Sequence, residues 1–183
     1  MFKRFTAKDG ISGQSQVKSS VQRGIRSKVL DQMRDIEPYI DDILPKKEKV
    51  VLAKCQNHVN VVTLSGDAPL FFNERDGPYA PSIRLLHKYP FFLPKLQVDK
   101  GAIKFVLKGA DIMCPGLTSP GARMDEEVEA GKIVAIHAEG KEHALAVGLT
   151  KLSTADIRSI NKGIAVEMLH HVNDGLYKTL TIS

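Results

Sequence analysis

The chain of 183 residues has no tryptophan, few aromatic residues and only two cysteines. Cys55 and Cys114 read as parts of different domains, which excludes a disulfide framework and leaves stability to apolar cores. No apolar run approaches the length of a membrane span, and Met1-Phe2-Lys3-Arg4-Phe5-Thr6 lacks the apolar stretch of a secretory signal. A cytoplasmic protein without membrane association is expected. Catalytic signatures are missing too. There is no Walker A sequence, no Gly-x-Ser-x-Gly elbow and no Gly-x-Gly-x-x-Gly loop. Cys55 and His58 are spaced like half a zinc site, but no second pair accompanies them, and Cys55 ends a strand, so it reads as a core thiol. His170 and His171 are consecutive in a strand, where neighbours face opposite ways and cannot share a metal. Nothing supports His87 with either cysteine as a nucleophilic pair. Glu126, Glu127 and Glu129 read as a solvated loop. The chain is expected to be no enzyme and to need no cofactor.

Positive charge is present, and unevenly spread. The formal net charge is +5, and residues 1–93 carry all of it, with fifteen Lys/Arg against ten Asp/Glu; residues 94–183 balance at eleven each. Residues 1–34 hold eight basic and two acidic side chains, and residues 94–124 hold five and two. Two basic regions in a chain without catalytic groups suit a polyanionic partner met by both halves.

In the first half, Ser19 or Ser20 starts a helix with Val21, Ile25, Val29 and Met33 on one face. Arg23, Arg26 and Arg34 are expected on its outer flank, where they would meet phosphates. A short helix from Glu37, with Pro38 in its first turn, places Tyr39, Ile40, Ile43 and Leu44 inward. Strands are predicted at Val50–Ala53, Val59–Leu64 and Leu70–Phe72, with Gly66-Asp67 as a turn. Ser12-Gly13-Gln14 reads as a loop. Pro81-Ser82 opens a third helix through Ile83, Leu85 and Leu86. Phe91-Phe92-Leu93-Pro94 forms the boundary and is too apolar for a floppy linker.

The second half opens on its most informative run. Leu96 and Val98 alternate with polar residues as in a half-buried strand. Asp99 is placed to cap a helix whose apolar arc is Ile103, Val106, Leu107 and Ala110. Gly109 fits the left-handed position that ends such a helix, and Pro115-Gly116 reads as a turn after the next strand. Lys100, Lys104 and Lys108 fall four apart as a stripe. Gly101 and Ala102 leave the helix start open to a phosphate. Ser119-Pro120 reads as a plain exposed turn, where phosphorylation would add negative charge beside a basic surface.

This run, Val98-Asp99-Lys100-Gly101-Ala102 through Gly109-Ala110 to Pro115-Gly116, resembles the opening of the PUA domain, an RNA-binding module. The likeness continues through Ile133–Ile136, Ala144–Gly148 and Asn173–Tyr177. End to end, the chain resembles the malignant-T-cell-amplified-sequence family, called translation-machinery-associated proteins in fungi. Met1-Phe2-Lys3-Arg4-Phe5, Lys18-Ser19-Ser20-Val21, Ile36-Glu37, Pro45-Lys46-Lys47 and Leu85-Leu86-His87-Lys88-Tyr89-Pro90 carry it, with the run Gln97 to Gly121. Departures lie at Ser12-Gly13-Gln14 and at Ala122 to Ala130.

The resemblance implies an α+β protein: an N-terminal domain over 1–93 with an antiparallel sheet, then a PUA-type mixed β-barrel over 94–183. It implies a non-enzymatic translation factor that binds small-subunit rRNA with a density-regulated-type protein as heterodimeric partner. The pair would release deacylated tRNA after termination and promote reinitiation and non-standard initiator tRNA delivery. RNA contacts are expected at Lys100, Gly101, Ala102, Lys104, Lys108, Gly109, Pro115 and Gly116, and at the three arginines. A free-standing tRNA-binding or RNA-modification accessory protein is the alternative.

Overall fold

The computed structural model describes residues 1–182; Ser183, the last residue of the expected second domain, lies outside them. In chain order, α1 (Ala7–Gly10) leads into β1 (Ile11–Gln16) and the long α2 (Ser19–Gln32). A 3-10 turn at Glu37–Tyr39 precedes α3 (Ile40–Ile43), and then come β2 (Val50–Cys55), β3 (Val59–Leu64), β4 (Phe71–Glu74), β5 (Ala80–Pro81) and α4 (Ile83–Lys88). The five strands form one antiparallel meander in sequence order. Valine-rich β2 and β3 are its centre, turned by Asn57 and His58, both at positive φ.

Two expectations fail here. Ser12-Gly13-Gln14 is no loop but the middle of edge strand β1, paired from Gly13↔Lys54 to Gln16↔Val51. Its side chains are largely exposed, so no alternation marks it, and backbone pairing alone makes it a strand. Ile25, Val29 and Met33 of the expected α2 face are buried, but Val21 is exposed, and Arg26, expected outward, faces inward together with Gln22. The cause is the segment after α3, whose carbonyls need donors. Gln22 Nε2 donates to the Pro45 and Glu48 carbonyls at 3.4 and 3.0 Å. The Arg26 guanidinium donates to the Leu44 carbonyl and to Asp41 at 2.8 Å.

The second half contains β6 (Lys95–Val98), a 3-10 turn at Lys100–Ala102, α5 (Ile103–Val106), β7 (Ile112–Met113) and α6 (Pro115–Thr118). It continues through β8 (Ile133–Ala138), β9 (Ala146–Thr150), α7 (Thr154–Ile160), β10 (Ile164–His171) and α8 (Gly175–Lys178). These strands form a curled half-barrel ordered β6-β8-β9-β10-β7, parallel at β6–β8 and antiparallel elsewhere. The fold is therefore α+β, with an antiparallel sheet followed by a mixed barrel-like one.

One apolar core runs through both halves, joining Val29, Leu44, Val61 and Leu86 to Ala135, Val147, Leu169 and Leu176. Phe2 is wedged at the junction, edge-on to Phe72 at 5.0 Å and to His170 at 5.8 Å. Its carbonyl accepts the Gly175 N–H at 2.9 Å. A side chain at Gly175 would lie 2.0 Å from the Phe5 carbonyl oxygen, so only glycine admits this approach. Phe92 and Leu93 are buried, and Arg84 donates to the Tyr177 carbonyl at 2.9 Å while stacking on its ring.

The His170–Asp174 pair is buried beside this wedge, with Nδ1 2.7 Å from Asp174 Oδ2. Burial holds His170 below the usual imidazole value. Burial opposes ionisation of Asp174, yet bonds from His170 and from the Tyr177 and His171 N–H groups keep its carboxyl below the usual range. His171 points elsewhere, with Nδ1 2.8 Å from the Val172 carbonyl. Burial pushes the Cys55 thiol up to about 11, which suits a packing residue.

Candidate nucleic-acid interface

The segment between β6 and α6 builds most of an apolar recess. Asp99 caps the 3-10 turn by accepting the Ala102 N–H at 3.0 Å. Glu139 accepts the Lys100 N–H at 3.2 Å. The Lys100 and Ala102 N–H groups are thus already held by carboxylates, which narrows the open-terminus reading to Gly101. Nor does one helix carry the lysine stripe. A 3-10 turn and a single α turn replace it, so Lys108 lies beyond α5.

Half of the expected apolar arc is in the core, with Ile103 packed against it. Val106 is buried, but Leu107 and Ala110 are exposed. Apolar surface is instead turned towards an open groove of about 720 Å³. Gly101, Ala102, Phe105, Met113, Pro115, Gly116 and Ile164 line it, together with Asp99 and Asp111. Phe105, Met113 and Ile164 are 53, 48 and 44% exposed, an unusual concentration on a folded surface. Asp111 accepts the Met168 N–H at 2.8 Å, tying the groove to β10. A groove of this size and character can hold a flat or apolar group with a few polar contacts.

Four of the residues singled out from the sequence therefore meet: Gly101, Ala102, Pro115 and Gly116. Pro115 opens α6 at its first position rather than making a β-turn, and buried Leu117 anchors that turn. Gly109 does not line the groove. It adopts φ +82, and a side chain there would come within 3.1 Å of His171 Nε2. Lys100, Lys104 and Lys108 are exposed, with Lys104 Nζ 5.1 Å from the Phe105 ring centre. Ser119 is half-buried, its hydroxyl bonded to Asp99, and not in a free turn. Sequence reasoning missed Phe105, Met113 and Ile164. Met113 and Ile164 are register partners across β7 and β10, a pairing that no local pattern announces.

The three arginines do not form one flank. Arg23 is exposed, Arg26 is buried, and Arg34 is paired bidentately with Glu126 at 2.6 and 3.1 Å. The Arg34 side chain in turn holds the Glu126 carboxyl below its usual range, so Glu126 is no mere solvated charge. Among the described residues no helix is long and apolar enough to cross a membrane.

An antiparallel α+β half fused to a curled mixed sheet with this groove is the architecture of a protein built from pre-PUA and PUA units. The Pre-PUA-like domain model matches residues 5–90, and the PUA domain model matches residues 94–172. A hypothetical protein from Pyrococcus horikoshii shares the fold, with a TM-score of 0.72 at 23% identity over 91% of this chain and 98% of its own. A PUA domain protein from Thermoplasma acidophilum gives 0.63 at 21% identity, covering 91% of this chain and 98% of that one.

Closer relatives narrow the class. Malignant T-cell-amplified sequence 2 of Homo sapiens is 52% identical over 99% of both chains. The Malignant T-cell-amplified sequence 1 homolog of Drosophila melanogaster is 55% identical over 98% of both. That of Dictyostelium discoideum is 51% identical over 97% of both. The chain belongs to the malignant-T-cell-amplified-sequence family, and its PUA domain marks it as an RNA-binding protein.

Proposed function

We propose that this protein is a non-enzymatic translation factor that acts on the small ribosomal subunit together with a density-regulated-type partner. It would promote release of deacylated tRNA, reinitiation and non-standard initiator tRNA delivery in the cytoplasm. Family membership over nearly the whole chain is the observation that carries this reading. The groove supports it as an RNA site. Gly101 and Gly116 put no side chain between the groove and the backbone, Phe105 offers a ring for a base, and the exposed lysines supply phosphate contacts. Base stacking on an aromatic side chain is worth about 1–3 kcal/mol.

Crosslinked lysate separated on a sucrose gradient tests the role. The protein is expected with free small subunits and with its partner; recovery only at the top of the gradient, without that partner, refutes the reading. Gly116→Glu tests the groove. A Cβ there meets nothing closer than Ile112 at 3.8 Å, so the fold is expected to hold while RNA affinity falls at least tenfold (about 1.4 kcal/mol). Unchanged affinity with an unchanged melting temperature removes the groove from the RNA site.

A further inference from the structure

The N-terminal half carries the whole net charge, yet the arginines expected to deploy it are largely engaged elsewhere: Arg26 is buried and Arg34 is paired with Glu126. A different basic surface stands out. Lys46, Lys47 and Lys49 project from the segment between α3 and β2, and Lys18 projects from the joint between β1 and α2. The two segments are neighbours by register. Gln16 pairs with Val51, and the Val17 N–H donates to the Val50 carbonyl at 3.0 Å, so the segment entering α2 runs alongside the one entering β2. All four lysines are exposed, and none has an ion pair among the described residues. Glu48 is the one carboxylate inside the cluster.

Like charges on adjoining segments repel, and a free loop would spread them. Here the backbone is held. Buried Gln22 donates to the Pro45 and Glu48 carbonyls on either side of Lys46 and Lys47. Arg26 holds the Leu44 carbonyl just before them. Gln22 and Arg26, which face inward from α2 in place of Val21, therefore work as a clamp that presents the lysines.

We propose that Lys18, Lys46, Lys47 and Lys49 form a second RNA-contacting surface that grips backbone phosphates without reading sequence. This rests on the RNA-binding role proposed above and assigns it a site separate from the PUA groove. The chemistry points to phosphates. Lysine is a compact point charge suited to phosphate neutralisation. Residues 46–49 offer no apolar side chain to insert into a lipid surface and no aromatic anchor of the kind that dominates protein interfaces. Phosphate contacts of this type position a protein and make its binding strongly salt-dependent.

The test uses the full chain and an arbitrary RNA hairpin, with affinity measured across a salt series. The variant K18Q/K46Q/K47Q/K49Q should melt like the wild type. Its slope of log affinity against log salt should shrink by about 3, from roughly 0.7–0.9 per lost phosphate contact. Gln22→Leu keeps every charge but releases the loop, and is expected to lose part of the affinity. Neutralising Lys132, Lys141 and Lys162, exposed lysines of the other half, should leave the slope in place. A quadruple variant with the wild-type slope, while Gly116→Glu still weakens binding, overturns this surface and leaves the groove reading intact. Equal slope losses from both lysine sets overturn it as well, since only overall charge would then matter. Tighter wild-type binding to phosphatidylserine vesicles than to RNA also overturns it. A wild-type protein that binds no RNA at low salt sinks both readings.

Discussion

Replacing Phe2 with alanine should destabilise the whole molecule, not one half of it. The ring is 2% exposed and packs edge-on against Phe5, Phe72 and His170. Truncating a core phenylalanine costs about 3–5 kcal/mol, the aromatic pair contributions included. The neighbours cannot close the gap cheaply. Phe72 is fixed in β4, His170 is bonded to Asp174, and Gly175 is already in backbone contact with Phe2 and Phe5. Taking about 4 kcal/mol, and about 3 °C per kcal/mol for a chain of this length, the melting temperature should fall by roughly 12 °C. Phe2→Leu refills most of the volume and should cost about a third as much. Scanning calorimetry on the full chain is the assay. Because one core spans both sheets, a single transition is expected in all three proteins. A shift below about 3 °C for Phe2→Ala, within what a surface change produces, would refute the wedge.

Acid should destabilise the protein through His170. Its imidazole titrates near 6.5 when unfolded and lower in the buried fold, so the unfolded chain binds the extra proton. The associated stability is complete above about pH 6.5 and is lost as pH falls below it. His137, also held low by burial, and Asp174 push the same way. Melting temperatures followed downward from neutral pH should decline less steeply in His170→Gln; parallel curves would rule His170 out as a source. The Arg34–Glu126 pair is 50 and 39% exposed, so solvent screening limits its worth. A double-mutant cycle with Arg34→Gln and Glu126→Gln should give a coupling of at most about 1 kcal/mol, and a value above about 2 would show that the pair anchors the halves.

Local chemistry made much of the chain legible in advance. The valine-rich runs of β2 and β3, Ser82 capping α4 and Asp99 capping its turn all depend on residues close in sequence. So does Gly109, whose backbone needs positive φ. The resemblance to the PUA opening singled out Gly101, Ala102, Pro115 and Gly116, and these four line one groove.

What the sequence could not determine was decided by distant partners. Strand β1 exists because β2 offers it hydrogen bonds, not because its side chains alternate. The face of α2 was set by the carbonyls of residues 44–48, which recruited Gln22 and Arg26 in place of Val21. The apolar character of the groove came from Met113 meeting Ile164 across strands about fifty residues apart. The partner of the Lys100 N–H came from Glu139, a carboxylate from beyond β8. In each case a buried backbone group or a long-range pairing outweighed a local pattern, since an unpaired polar group costs more than a side chain's preferred face. Composition could place the charge in the first half. Only tertiary packing could decide which basic side chains remained free to use it.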